Sequence, residues 1–463
     1  MSAVPALNIP ATSAIAQPEF LMGVATASYQ IEGAADEDGR LQSIWDTYCD
    51  EPGRVLHGDT GDVACDHYHR WQADVEMIAG LGVDAYRLSI AWPRVMDEKG
   101  VPNPKGIGFY KNLLDALKAK GIQTYVTLYH WDLPQHWQDK GGWANRETAY
   151  AFAEYADLMS RELAGKVTAW ATLNEPWCSA YLGYGIGRHA PGVTDLRQTT
   201  QALHHLLLGH GLALAKIQAN DPAAMRGIVC NTGVFGPHTD SAADQDASYL
   251  AYVQQNHWVF DPLMLGTYPQ DLFRLWPGCE PLVLAGDMEI ISTKMDFLGI
   301  NYYFRTEVES DGKGGYQEAP HSAQSKQVER TQMGWEVYPQ GLTDLLVDFD
   351  ARYPDMPPVY ITENGMANDD SVAADGSVAD TQRIRFLERH LMAVDTAIKA
   401  GVDVRGYFIW SLMDNFEWAY GYERRFGITH VDYTTQVRTP KHSSLAVQAF
   451  LQQRKERPRP TLG

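Results

Sequence analysis

The chain has 463 residues, 45% of them hydrophobic and 21% charged, which is the composition expected of a soluble globular protein with a large core. Its 38 Lys and Arg residues against 58 Asp and Glu residues give a formal net charge of −20, which disfavours nucleic acid and anionic membranes as partners. No apolar run is long enough to cross a bilayer, and residues 1–18 lack the pattern of a secretory signal. Five scattered cysteines without metal-like spacing indicate free thiols, so a cytoplasmic location is expected.

Eight short apolar segments are predicted to be β-strands. Several are apolar on both faces, as strands of a parallel sheet covered by helices must be. Amphipathic stretches separate them, and this repeated alternation predicts parallel βα units. The eight segments are residues 20–25, 85–90, 123–128, 168–173, 226–231, 296–300, 359–362 and 405–410.

Apolar residues recur at helical spacing between these strands. Ile107, Tyr110, Leu114 and Leu117 mark one such helix, because residues three or four apart share a helix face. A further helix over residues 440–453 would close the ring. Eight strands alternating with helices are typical of a (β/α)8 barrel.

Polar segments rich in Gly, Asp and Ser are predicted to be loops. They are residues 36–62, 240–246, 310–332 and 367–379. All but the second follow a strand directly, which places them at the catalytic face of a barrel. The predicted fold is therefore α/β: a single (β/α)8 TIM barrel over residues 19–463 with elaborated βα loops, after a flexible arm over residues 1–18.

Two glutamates stand at predicted strand ends, Glu175 in Asn174-Glu175-Pro176 and Glu363 before Asn364 and Gly365. In a (β/α)8 barrel the carboxyl ends of all strands meet at one face, so these two side chains would share one pocket. Two carboxyl groups that flank a sugar can break a glycosidic bond. Either segment alone would read as an ordinary turn, but the pair together predicts a glycosidase.

Polar and aromatic residues suited to a sugar gather at the other predicted strand ends as well. Stability alone gives no reason to collect amides, carboxylates, histidine and indoles on one rim. The candidates are Gln30, Glu32, Arg87, His130, Trp131, Asn301, Tyr303, Trp410, Glu417 and Trp418.

Several motifs, in their order and spacing, resemble glycoside hydrolase family 1, the β-glucosidase family, over nearly the whole chain. Besides the two glutamate segments, they are FLMGVATASYQIEG at 20–33, HWDLP at 130–134, GINYY at 299–303, NFEW at 415–418 and RFG at 425–427. The resemblance implies a bacterial type of enzyme that cleaves β-glucosides and needs no cofactor or metal.

The resemblance also implies a role for each candidate. Glu175 would be the acid and base and Glu363 the nucleophile, with Arg87 and Tyr303 holding the nucleophile and Asn174 bonding the sugar's 2-hydroxyl. Trp410 would stack on the ring and Trp418 would donate its indole N–H. The substrate-binding set is Gln30, His130, Trp131, Asn174, Asn301, Tyr303, Trp335, Trp410, Glu417, Trp418 and Phe426.

This pairing predicts a retaining mechanism through a covalent glycosyl-enzyme, with the two carboxyl groups about 5 to 5.5 Å apart. The negative charge of Glu363 is expected to raise the pKa of Glu175 and keep it protonated at neutral pH. The histidines at positions 67, 69, 204, 205 and 210 fall on predicted helices without an acidic partner at ligand spacing. They are expected to be solvated or capping residues rather than metal ligands.

The substrate class leaves alternatives open. A β-galactosidase or β-fucosidase of the same family is the first, and a homo-oligomer is also compatible with the sequence. A 6-phospho-β-glycosidase is disfavoured because the carboxylate of Glu417 would repel a 6-phosphate. A non-catalytic sugar-binding relative is disfavoured because Glu175 and Glu363 are both present.

Overall fold

A computed structural model describes residues 6–320 and 327–456. Eight parallel strands close into a barrel in which each strand lies beside its neighbours in the sequence, and the last pairs with the first. Their registers run without interruption from Leu21 opposite Gly406 to Ala25 opposite Trp410 at the closure. The (β/α)8 TIM barrel predicted from the alternation is confirmed.

All eight predicted strands are present, with bounds that differ by up to two residues. Nearly every residue in them is buried, because the helices cover one face and the barrel interior fills the other. Strands β1 to β8 are Leu21–Ala25, Ala85–Ser89, Gln123–Tyr129, Ala169–Asn174, Met225–Asn231, Phe297–Asn301, Val359–Asn364 and Val404–Trp410.

The main helices α1 to α8 surround the strands. They are His67–Leu81, Pro104–Ala119, Glu147–Glu162, Leu196–Asn220, Ala242–Tyr252, Pro339–Arg352, Thr381–Lys399 and His442–Glu456. Shorter helical segments are Ala14–Ala16, Ser28–Ile31, Ile44–Asp50, Leu56–Gly58, Trp92–Val95, Gln135–Gln138, Gly142–Ala144, Cys178–Gly185, Val253–His257, Trp258–Leu265, Leu272–Leu275, Asp287–Ile291 and Trp418–Tyr420.

Helix α2 illustrates how capping residues and apolar spacing in the sequence predict a helix. Asn103 caps its first turn by accepting a hydrogen bond from the backbone of Lys105, and Pro104 fills the first helical position, where no N–H is needed. The apolar residues spaced along it, Ile107 and Tyr110 among them, are buried against the barrel. The helix expected at the C-terminus is also present, as α8.

Aromatic side chains fill the barrel interior below its carboxyl end. Tyr125 contacts Phe297, Tyr360 and Phe408 at ring-centroid distances of 6.3, 5.6 and 4.9 Å. These rings belong to strands β3, β6, β7 and β8, so they brace the strands whose ends carry the candidate residues. The interior is thus a packed floor beneath the site rather than a pore.

Two of the expected loops contain regular structure. Residues 240–246 lie mostly in α5, which Ser241 caps through its side chain, so assigning them to a loop was wrong. Within residues 36–62, a helix over Ile44–Asp50 begins with a capping box between Ser43 and Asp46.

Added strands decorate the barrel. A three-stranded sheet consists of Val234–Pro237, Arg305–Ser310 and Tyr316–Glu318, and a two-stranded one pairs Thr429–Val431 with Arg438–Pro440. Of the expected loop over residues 310–332, residues 321–326 lie outside the described part of the chain. Across residues 6–320 and 327–456, no helix combines the length and apolar character needed to cross a membrane.

The N-terminal segment differs from the expected flexible arm. Ser13 Oγ and the backbone N–H of Ala14 both donate to Asp395 Oδ1 of helix α7, each at 2.8 Å. Ile15 and Ala16 are fully buried. Residues 6–18 are therefore packed on the barrel because their apolar side chains cover α7, whereas residues 1–5 lie outside the described residues.

Candidate active site

Glu363 lies near the carboxyl end of β7, where two donors hold its carboxylate. Arg87 Nη1 donates to Oε1 at 2.6 Å, and the Tyr303 hydroxyl donates to Oε2 at 2.6 Å. The side chains of Arg87 and Glu363 are 2% and 4% exposed, so water screens their ion pair little. Both contacts stabilise negative charge on Glu363 and fix its orientation.

Glu175 follows β4 directly and has a different environment. Its carboxyl is buried, and burial followed by the negative charge of Glu363 raises its pKa to about 8. Hydrogen bonds from Asn301 and Cys178 act in the opposite direction. Desolvation is therefore a larger cause of the raised pKa than the neighbouring carboxylate, which is the only cause visible in the sequence. Glu175 is thus poised to carry a proton at neutral pH.

An amide network links the two glutamates. Asn301 Nδ2 donates to Glu175 Oε1 at 2.7 Å, and Asn301 Oδ1 accepts from the hydroxyl of Thr362, the neighbour of Glu363, at 2.7 Å. Asn174 Oδ1 accepts from Arg87 Nη2 at 2.7 Å. The candidates from strands β2, β4, β6 and β7 therefore form one continuous hydrogen-bonded array.

His130 is neutral, and its tautomer follows from its partner. Asn174 Nδ2 donates to His130 Nε2 at 3.2 Å, so Nε2 accepts and Nδ1 carries the proton. Burial, followed by the charge of Arg87, lowers the pKa of His130 well below its usual value. Within the described part of the chain the buried Nδ1 has no hydrogen-bond partner, so it is a donor available to a ligand.

Two further buried polar side chains keep one atom each without a partner among the described residues, Gln30 Oε1 and Glu417 Oε2. The amide nitrogen of Gln30 donates to Asn415 Oδ1 and to the carbonyl of Phe416, at 3.0 and 2.8 Å. Burial, then the charges of Glu363 and Glu175, raises the pKa of Glu417 to about 8. Buried polar atoms without partners are costly, and sugar hydroxyls would satisfy them.

Indole rings form one wall of the site. The ring of His130 lies parallel to those of Trp410 and Trp418, with centroids 5.9 and 6.0 Å away. Trp131 packs on Trp418 at 4.6 Å and donates its indole N–H to the carbonyl of Asn174 at 3.0 Å. Because that N–H is engaged, Trp131 supports the wall through its ring and is not free to donate to a ligand.

Trp335 and Phe426 complete the aromatic surface around Tyr303. Their rings lie 5.5 and 6.2 Å from the ring of Tyr303 and 6.1 Å from one another. Trp335 also stacks on Phe304 at 4.6 Å and is half-buried, whereas Phe426 is buried. The structure thus brings the aromatic candidates from distant parts of the chain to one rim.

Three residues of the rim have a left-handed backbone. The φ angles of Trp131, Glu175 and Trp418 are 77°, 48° and 52°. Such angles are rare for residues that carry a Cβ and cluster at functional sites.

Some sequence assignments need correction. The carboxylate of Glu32 is not available to a ligand at the rim, since it accepts from Arg94 Nε at 2.8 Å and from the Tyr110 hydroxyl at 2.6 Å. Asn301, expected to contact substrate, also donates to Glu175 and accepts from Thr362, so its contact with substrate stays a prediction. The roles of Thr362 and Cys178 were missed, and nothing in the local sequence distinguishes them from core residues.

The expected solvent exposure of the histidines was wrong for four of the five. His67 and His204 are buried and contact Asp74 and Asp287 at 2.8 and 2.9 Å, while His205 and His210 are also buried. Only His69 is exposed, and it contacts Asp66 and Glu37. Among the described residues, no group of three or more His, Cys, Asp or Glu side chains has an arrangement that could hold a metal ion.

The closed barrel with a buried carboxyl pair at its carboxyl end defines a glycoside hydrolase. The family model described as Glycosyl hydrolase family 1 matches residues 14–456. The chain belongs to this family.

Similar proteins agree with this assignment. Beta-glucosidase A of Thermotoga maritima is 46% identical over 426 residues, which cover 92% of this chain and 95% of that protein. A bifunctional beta-D-glucosidase/beta-D-fucosidase of Bifidobacterium breve is 44% identical over 445 residues, with coverage of 92% and 95%. The structure of beta-glucosidase from Thermotoga maritima in complex with glucoimidazole superposes with a TM-score of 0.91 at 44% identity, covering 95% of this chain and 98% of that one.

Proposed function

We propose that the enzyme is a retaining β-glucosidase that removes terminal non-reducing β-D-glucosyl residues from β-glucosides and short oligosaccharides such as cellobiose. The observation that carries this proposal is the contrast between its two buried glutamates. Glu363 is held by a cation and a hydroxyl donor, whereas burial raises the pKa of Glu175 to about 8. One carboxylate and one carboxylic acid in the same site are what double displacement requires.

The first half-reaction cleaves the glycosidic bond. A carboxylate oxygen of Glu363 attacks the anomeric carbon while the bond from that carbon to the aglycone oxygen breaks. Glu175 donates its proton to the departing oxygen, which would otherwise leave as a poor alkoxide. The sugar becomes a glycosyl ester of Glu363, and the aglycone leaves as an alcohol.

The second half-reaction reuses the same pair. Once Glu363 is esterified its charge is gone, so one cause of the raised pKa of Glu175 disappears and that carboxyl remains ionised. Glu175 then removes a proton from water, and the water oxygen attacks the anomeric carbon as the bond to Glu363 breaks. Two inversions at one carbon give net retention and release β-glucose.

The remaining residues bind and orient the sugar. Asn174 bonds the 2-hydroxyl, an interaction that strengthens as positive charge develops on the ring. The unpaired atoms of Gln30, His130 and Glu417 bond the other hydroxyls, with Glu417 assigned to the 4- and 6-hydroxyls, and Trp410 stacks beneath the ring. Trp418 donates its indole N–H, while Trp335 and Phe426 border the site with Trp131 behind them.

A β-galactosidase or β-fucosidase activity is the second candidate, and the name of the Bifidobacterium breve relative favours the fucoside. Glu417 opposes a 6-phosphoglycoside, because a carboxyl whose pKa is already raised by burial and by the charges of Glu363 and Glu175 offers no cation to balance a phosphate. Initial rates on the aryl glucoside, galactoside, fucoside and 6-phosphoglucoside separate these activities.

The domain organisation, the partners and the cellular location are proposed from the composition of the chain. Residues 19–463 would form one catalytic domain acting on small-molecule substrates, without nucleic acid or a membrane as partner. The five free cysteines fit a reducing compartment such as the cytoplasm.

The anomer released first tests the mechanism. In proton NMR of an aryl β-D-glucopyranoside during the first minutes with enzyme, β-glucose is expected to form first and to mutarotate later, because displacement occurs twice. An enzyme-free sample of β-glucose supplies the rate of mutarotation. If α-glucose forms first, Glu363 is not a nucleophile and the proposed mechanism fails.

The dependence of kcat/KM on pH tests the assignment of Glu175 as the acid. The pKa of Glu175 is raised, so its proton is retained below about pH 8, and kcat/KM on a substrate with a poor leaving group is expected to fall as pH rises through that value. A 2,4-dinitrophenyl glucoside needs little protonation of its leaving group and serves as the matched control. Its alkaline decline should be weaker, and equal declines would contradict the assignment of Glu175.

A further inference from the structure

A network of six charged side chains lies behind the loop that carries Glu417, and we call it the charge cluster. Most of its members are fully buried, with the side chain of Arg425 at 21% exposure as the most accessible. The members are Asp370, Asp380, Arg383, Asp414, Arg425 and Lys441.

Lys441 is the centre of the charge cluster. Its ammonium donates to Asp370 Oδ2 at 2.5 Å and to Asp414 Oδ1 at 2.6 Å, and its side chain is fully buried. It lies directly before helix α8, 71 and 27 positions from these two aspartates in the chain. Lys441 therefore adds a cation between the segment after β8, which holds Asp414, and the loop after β7, which holds Asp370. The same two segments are also joined by a backbone hydrogen bond from Asn368 to Arg425 at 3.2 Å.

The segment between β8 and the added strand Thr429–Val431 holds two residues of the substrate rim, Glu417 and Phe426. Asp414 accepts from the backbone N–H of Gly427 at 3.0 Å and from Arg425 Nη1 at 2.7 Å. It thus ties the segment before Glu417 to the segment that contains Phe426. Moving Asp414 would move both rim residues, because only two residues separate it from Glu417 and its bond to Gly427 lies next to Phe426.

The second loop follows strand β7 and Glu363. Asp370, in this loop, accepts from Arg383 Nη2 at 2.7 Å, and the same nitrogen donates to the carbonyl of Arg425 at 2.9 Å. The charge cluster therefore fixes the rim loop against the end of the strand that carries the nucleophile.

A contribution to stability does not by itself explain why six charged side chains are buried together in the charge cluster. Apolar residues of similar volume stabilise a protein as well as a buried ion pair does, since desolvation offsets the attraction between the charges. What buried charges add is geometry, because each oxygen must meet a particular donor.

We propose that Lys441 is a positioning residue that sets where Glu417 lies relative to Glu363, and so sets the enzyme's discrimination at the sugar's 4-hydroxyl. This inference rests on the proposed function, in which Glu417 bonds that hydroxyl. Lys441 acts through Asp414 and touches no substrate.

The test compares Lys441→Met with the wild type on an aryl β-D-glucoside and its 4-deoxy analogue. A small misplacement of a binding group can lower the rate by about 100-fold. We expect kcat/KM on the glucoside to fall by about 10- to 100-fold, chiefly through KM, and on the 4-deoxy analogue by about 3-fold or less. The preference for the glucoside would shrink accordingly.

Arg146→Met is the control, since it breaks a different ion pair, between Arg146, which directly precedes α3 and has a side chain 23% exposed, and the buried Asp287. It should lower the melting temperature and leave the substrate preference unchanged. If Lys441→Met also lowers only the melting temperature, the positioning role is overturned. If that variant does not fold, Asp370→Asn, which keeps the size of the side chain, is measured in the same way and judged by the same criterion.

The substrate preference of the wild-type enzyme distinguishes a failure of the positioning role from a failure of the proposed function. A wild-type enzyme that treats the two substrates equally would overturn the assignment of Glu417, and with it the role of Lys441. A strong wild-type preference that survives in the variants would overturn only the inference about Lys441.

Discussion

Replacing Glu363 with alanine is expected to lower kcat on aryl β-glucosides by about 10⁴-fold or more, because the covalent half-reaction is lost. The change leaves Arg87 and Tyr303 aimed at the vacated volume, since both donate to Glu363 in the intact site. A small anion such as azide or formate can occupy that volume and attack the anomeric carbon. Steady-state kinetics with and without the anion measure both effects.

The product of this rescue is as informative as its rate. Attack by azide from the side of the missing carboxylate inverts the centre once, so α-glucosyl azide is expected. Glu309→Ala is a suitable control, because that half-buried carboxylate lies in the added strand Arg305–Ser310 and accepts from Gln317. It should keep wild-type activity. A Glu363→Ala enzyme that retains most of its activity would contradict the nucleophile assignment.

Replacing Glu175 with alanine is expected to separate substrates by leaving group. Cellobiose, whose leaving alkoxide needs a proton, should lose activity by about 10³-fold or more, and first-step rates on 2,4-dinitrophenyl glucoside should change little. The reason is that Glu175 holds the proton for the departing oxygen, with a pKa of about 8. Pre-steady-state measurements of dinitrophenol release separate the first step from the second.

Azide distinguishes this variant from the previous one. Here Glu363 still forms the glycosyl ester, and azide takes the place of water in the second step, so β-glucosyl azide is expected. Glu175→Gln, which keeps the side chain's size but carries no acidic proton, should behave like the alanine variant. Equal losses on both classes of substrate would rule out Glu175 as the acid.

The fold could be predicted because barrel strands have a simple pattern. Strand β6 is apolar up to its last residue, Asn301, and β7 is apolar up to Ile361 before three polar residues; this change from apolar to polar marks the carboxyl rim. Helix α5 was partly missed because its first turn is rich in Asp, Ala and Ser, which read equally well as a loop. The packing of residues 6–18 on the barrel, which buries Leu7, Ile9, Ser13, Ile15 and Ala16, was missed because it depends on a partner helix more than 360 positions away.

The candidate residues of the site could be proposed from motifs, but the hydrogen bonds that join them could not. That Asn301 serves Glu175, and Trp131 serves Asn174, depends on which neighbour each side chain faces across the barrel. His204 was expected to be solvated, yet its partner Asp287 lies 83 positions away. Periodicity places a residue on an element and does not reveal what that element packs against.

The left-handed backbone at Trp131, Glu175 and Trp418 has a consequence for how this enzyme can evolve. Each such residue destabilises the folded state by roughly 1–2 kcal/mol, which glycine or asparagine would largely relieve. Neither substitute provides an indole or an acidic carboxyl, so selection for catalysis retains the strained residue. Mutations that raise thermal stability should therefore accumulate in the helices and the barrel floor, while the rim tolerates few changes of any kind.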